Sequence, residues 1–204
     1  MSRPSFFNQD FQREQLLNVY LDKLYLQLGM SFNRVIDLDM QNKGVDIVVT
    51  KKGKDLFVDE KAQLDYINNP LKTFAFEIGY FKGDEHKQGW LFDDRKLTTH
   101  YMLITHIAIK EEGVFTSPDD ISTLKLLWIN RSALINSLAS QGIDQAYCEQ
   151  MEKGSRQQKL SGKILIDRPD HYFYLSDQKA EAPFNLVIRR DELLRIGTQI
   201  YPKL

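Results

Sequence analysis

Gly44-Val-Asp-Ile-Val-Val-Thr50, then Lys51-Lys-Gly-Lys54, then Asp55-Leu-Phe-Val-Asp-Glu-Lys-Ala-Gln63 is the stretch that decides how this chain folds. Val45–Thr50 alternates and is rich in β-branched residues, which predicts a strand. Lys51–Lys54 reads as a tight turn, because Gly53 adopts positive φ without a steric penalty. Asp55–Gln63 is then the returning strand of a hairpin. If Lys52 and Gly53 are the two turn residues, Lys51 pairs with Lys54 and Asp46 falls opposite Asp59, with Cβ atoms about 4.5–5.5 Å apart. If the turn is Gly53-Lys54, Asp46 faces Lys61 and Asp59 faces Val48. Both two-residue turns keep Asp46, Asp59 and Lys61 on one face. A three-residue loop brings Glu60 there instead, because a one-residue slip reverses every side chain.

Working outward, Leu17, Leu21, Leu24 and Leu28 recur at helical spacing and predict a helix from about Asp10 to Leu28, with Asn8 or Asp10 as cap and Gly29 as stop. Strands are expected at Arg34–Leu38, Thr73–Phe81 and Tyr101–Ile109, with a short helix around Asp93–Leu97. The second half holds two strand-to-helix units, Leu126–Asn130 into Arg131–Ser140 and Phe184–Ile188 into Arg189–Ile196, the latter closed by Gly197. Gln145–Lys163 is polar and reads as a helix and an exposed loop. This order implies an α/β or α+β domain, a mixed β-sheet core flanked by helices.

The 204 residues predict a single domain, with a core at 10–110 and residues 111–204 as an extension of it. A hydrophobic fraction of 42% suffices for one sizeable core. Cys148 is the one cysteine, so no intrachain disulfide forms and a cytoplasmic location is expected. The start of the sequence lacks the apolar run of a signal peptide, and no segment reaches the roughly 20 apolar residues that span a bilayer. The net charge of −1 excludes a protein that binds nucleic acid through bulk charge, so any such contact must come from local patches.

Two carboxylates held across a hairpin repel, and a cation, a shared proton or solvent must offset this. An oxygen-rich space between them suits Mg²⁺, a hard ion that keeps waters and takes phosphate oxygens as ligands. Lys61 projects from the same face as Asp59, where an ammonium orients an attacking water or stabilises developing negative charge. An Asp on one strand followed by (Asp/Glu)-x-Lys on the next resembles the PD-(D/E)XK nuclease superfamily: Asp46 matches the first acid and Asp59-Glu60-Lys61 the triplet. The position before Asp46 holds Val45 in place of the Pro many members carry. The resemblance covers about residues 10–110. It implies a restriction-endonuclease-like core, metal-dependent hydrolysis of phosphodiester bonds by an endo- or exonuclease, DNA as the partner and Mg²⁺ or Mn²⁺ as cofactor, with a homodimer allowed. It implies catalytic roles for Asp46, Asp59, Lys61, Glu14 and Gln63, with Asp46, Asp59 and Glu14 as metal ligands. Glu14 is the candidate because members place a helix before these strands that often contributes a Glu. Gln63 follows the triplet on its face.

Plainer readings compete. The same fold without catalysis would be a nucleic-acid-binding or structural protein, and a small phosphoester is a third substrate class. Glu14 equally suits a helix start. Lys51, Lys52 and Lys54 read first as a solubilising hairpin tip, and Arg156, Lys159 and Lys163 as a charged loop. Glu77 reads as the wet side of an edge strand. His86, His100, His106 and His171 lack ligand spacing, and Cys148 has no histidine nearby in sequence.

Overall fold

The computed structural model describes residues 7–200. In chain order the elements are α1 (Phe7–Gln27), β1 (Phe32–Arg34), α2 (Leu38–Asn42), β2 (Ile47–Lys51), β3 (Lys54–Ala62), β4 (Thr73–Lys82), β5 (Glu85–Gln88), β6 (His100–Ile109), β7 (Ile121–Asn130), α3 (Arg131–Ser140), α4 (Gln145–Gln157), β8 (Gly162–Leu165), β9 (His171–Leu175), β10 (Phe184–Arg189), α5 (Arg190–Ile196) and β11 (Thr198–Ile200). The fold class is thus α/β, with strands in two sheets. The described residues form two compact units, one from residues 7–71, 97–130 and 197–200, the other from residues 72–96 and 131–196. The first unit therefore draws strands from both sides of residue 110.

The first unit is built on a six-stranded mixed sheet in the order β1-β2-β3-β6-β7-β11. All neighbours run antiparallel except β3 and β6, which are parallel. Lys52 and Gly53 take φ of 51° and 73° at the β2–β3 turn. Two positive φ values in a two-residue loop match the right-handed twist of the strands it joins. The turn pairs Lys51 with Lys54 and Ile47 with Val58, the first of the registers considered above. α1 lays Leu17, Leu21, Leu24 and Tyr25 on Ile47, Val49, Val58, Met102, Ile104 and Leu126. Each such apolar side chain contributes about 1.5–3 kcal/mol on burial. Gly29 at φ 68° stops the helix, and the Met30 N–H donates back to the Tyr25 carbonyl at 2.9 Å.

Five expectations shift. The helix already runs at Phe7, so Asn8 and Asp10 lie inside it rather than capping it. Leu28 stays 37% exposed, because the helix has ended at Gln27. The strand expected at Arg34–Leu38 ends at Arg34; Asp37 instead caps α2, accepting the Met40 N–H at 2.9 Å. Asp93–Leu97 is not helical: the Asp93 carboxylate takes the N–H and guanidinium of Arg95, local bonds that compete with helix formation. Glu77 is not on an edge strand, for β4 lies between β5 and β10.

The second unit holds a five-stranded antiparallel sheet, β5-β4-β10-β9-β8. Phe74, Phe76, Phe173, Phe184 and Leu186 are buried, as are Leu134 and Leu138 of α3 and Leu193 of α5. Phe173 and Phe184 stack with centroids 5.0 Å apart. The expected strand-to-helix steps are present at Asn130/Arg131 and Arg189/Arg190. Among the described residues, no helix is long and apolar enough to cross a membrane.

Candidate active site

Asp46 stands just before β2, held by the backbone on both sides. Its carbonyl accepts the Val35 N–H at 2.8 Å and its own N–H donates to the Val58 carbonyl at 2.9 Å. Its carboxylate accepts the Glu60 N–H at 2.7 Å. The first acid is thereby pinned against β3, with its carboxylate beside that of Asp59.

Asp59 is 2% exposed, and its Oδ1 accepts from Lys61 Nζ at 2.5 Å. Burial pushes its carboxyl up; Lys61 opposes this and the adjoining Asp46 carboxylate adds to it, leaving a pKa of about 7. Asp46, Asp59 and Lys61 are therefore brought together, as the alternation of the hairpin requires.

Glu60 is tied to α1 and β1. It lies on the α1 side of β3, where its carboxylate accepts the Tyr25 hydroxyl at 2.6 Å and Arg34 Nη1 at 2.7 Å. Arg34 also binds Asp22 on α1, with Nε at 2.8 Å from Oδ1. Burial raises the Glu60 pKa, although the Arg34 and Tyr25 bonds oppose it. The middle residue of the triplet is a buried tie between β3, β1 and α1, a role the sequence reading missed. The signal was present: Tyr25 follows Leu21 by four residues on the buried stripe, and a hydroxyl there needs a partner.

A cleft of about 230 Å³ opens beside these residues, lined by Glu14, Asn18, Asp46, Glu60 and Lys61 over a floor that includes Leu17, Leu21 and Ala62. Glu14 faces this cleft from α1 and is exposed. Among the described residues, no three acid, histidine or cysteine side chains are grouped to hold a metal. Gln63 is half-buried past the end of β3 and does not line the cleft, because the strand's alternation stops at Ala62. The donor set still fits a hard cation. Two adjoining carboxylates supply the oxygen donors that a divalent ion with water and phosphate ligands takes, and such an ion would displace the proton that burial favours on Asp59.

A second cluster, also missed, lies within the other unit. Buried Glu152 accepts from Arg156 at 2.7 Å and lies 3.0 Å from His86 Nε2. Arg156 thus belongs to an ion pair in α4 rather than to a charged loop. Cys148 is buried, which pushes its thiol up to about 12 and leaves no thiolate for chemistry at neutral pH. No protein-family model matches the chain, and no curated protein or solved structure gives a significant match.

Proposed function

We propose that this chain is a divalent-metal-dependent nuclease of the PD-(D/E)XK type that hydrolyses phosphodiester bonds in DNA. The observation that carries this reading is the meeting of Asp46, Asp59 and Lys61, with Asp59 buried behind Asp46 and Lys61 where these two line a cleft. Asp46 and Asp59 would hold a Mg²⁺ or Mn²⁺ ion, which supplies Lewis-acid polarisation of a phosphoryl oxygen and a more acidic bound water. Lys61 is kept in place by Asp59 Oδ1 and lines the cleft, so its ammonium is available to a non-bridging phosphate oxygen as charge builds there. Glu14, which lines the cleft from α1, would orient a water. Glu60 fixes β3 against α1 and takes no part in the chemistry.

The test is cleavage of single- and double-stranded DNA in Mg²⁺, in Mn²⁺ and in chelator. Cleavage only with metal is expected, with Lys61→Ala reducing the rate by about 10²–10³. A wild type inert on both substrates in both metals favours the same fold without catalysis.

A further inference from the structure

A slot of about 380 Å³, separate from the cleft at Asp46, opens in the first unit where α1 ends. Met30, Val49, Trp128 and Ile200 wall it, and Thr50 and Lys51 line it from the exposed end of β2. That volume falls in the range of roughly 300–1,000 Å³ that takes small ligands. Trp128 is not a loose ring: the His100 imidazole lies 4.9 Å from it at 30°. His100 is in turn fixed by the Thr99 hydroxyl at 3.0 Å and the Asn130 amide at 3.3 Å. Burial and the nearby Lys51 charge lower the His100 pKa, so a neutral ring backs the indole at pH 7.

Beside this apolar slot, Lys51, Lys52 and Lys54 are all exposed on the hairpin tip. In a chain of net charge −1 this is a concentrated positive patch. An apolar slot with Trp128 in its wall and Lys51 at its lining matches a ligand that is aromatic at one end and anionic at the other. An unpaired nucleotide is such a ligand, since every base has a π-face and carries its phosphate alongside. A solubilising role explains exposed lysines but not the aromatic slot next to them.

We propose that this slot takes an unpaired base of a single-stranded nucleic acid, with the adjoining phosphate on the Lys51–Lys54 tip. The proposal deepens the nuclease reading and rests on it: the slot would hold the substrate strand at a second point.

The experiment uses Trp90→Phe, which leaves Trp128 as the one indole. The full chain is titrated with an oligothymidylate in chelator, where nothing is cleaved, and Trp128 emission is followed. Saturable quenching is expected with the single strand and not with a duplex of equal length. Trp128→Leu should weaken binding of a labelled oligonucleotide about tenfold, the scale of one stacked base. Lys51→Glu, at an exposed position, should lower the salt dependence of binding by about 0.7 in log–log slope for one lost phosphate contact. Binding with Trp128 emission unmoved overturns the proposal, as does an unchanged salt slope in Lys51→Glu. Equal quenching by duplex also overturns it. Cleavage in Mg²⁺ is read separately on the same samples. Cleavage without quenching refutes the slot alone, and quenching without cleavage refutes the nuclease reading alone.

Discussion

At Asp59, burial and the Asp46 charge outweigh the Lys61 ion pair, and the carboxyl is left with a pKa of about 7. Unfolded, the same group titrates near 3.9, roughly the model-peptide value. The native state therefore binds this proton more tightly. Its contribution to stability is present below about pH 4, is lost as pH rises, and is gone above about pH 7, with a slope of at most about 1.4 kcal/mol per pH unit. In chelator, Asp59→Asn is expected to abolish that slope and raise the melting temperature at pH 8. A structural ion pair has the opposite sign, and a destabilised Asp59→Asn at pH 8 would support it. Thermal melts from pH 4 to pH 8 decide between them. The sequence placed Asp46, Asp59 and Lys61 on one face because strand alternation depends only on register, and Lys52-Gly53 allowed the register that occurs. Gln63 lay beyond that logic: the chain leaves the strand after Ala62, and nothing in the local sequence marks the exit.

Among the elements, the hairpin and α1 carry the site, and each has a weak point open to test. The turn holds Lys52 and Gly53 in the left-handed region. Gly53→Ala should cost about 1–2 kcal/mol there, while Lys52→Asn, a residue that tolerates this conformation, should gain up to about 1 kcal/mol. Chemical denaturation of the two variants should move in opposite directions. Arg34 bridges Asp22 and Glu60, and the Glu60 side chain is only 6% exposed. Arg34→Met leaves a buried carboxylate without its cation, for an expected loss of about 3–5 kcal/mol. Double substitution with Glu60→Gln should recover much of it; additive losses would show that the two residues do not act as a pair. The leucine stripe made α1 legible, β-branched alternation did the same for β2, and the Lys51–Lys54 turn did so for β3. Asp37 and Asp93 were harder to read, because one short polar side chain bonding its own backbone decides between strand, turn and helix at those places.

For the whole molecule, the mixed α/β character was legible in the order of elements. The way the sheets interleave along the chain was not. β4 and β5 leave the first unit's sequence between β3 and β6, and β11 returns to it after α5. Such returns are decided by long-range pairing, which periodicity does not encode. The site itself needs only the first unit's residues, and the proposed function rests on two adjoining carboxylates that would hold a divalent ion. Calorimetric titration of Mn²⁺ into the protein at pH 7, with a cleavage-resistant phosphorothioate oligonucleotide present, measures that binding directly. The expected result is about one ion per chain, with release of about half a proton per ion from a carboxyl whose pKa is about 7. The released fraction should vanish by pH 8.5, and Asp46→Asn should abolish binding. An absence of Mn²⁺ binding in the presence of the oligonucleotide, or binding that persists unchanged in Asp46→Asn, would contradict a metal-dependent nuclease site at Asp46, Asp59 and Lys61.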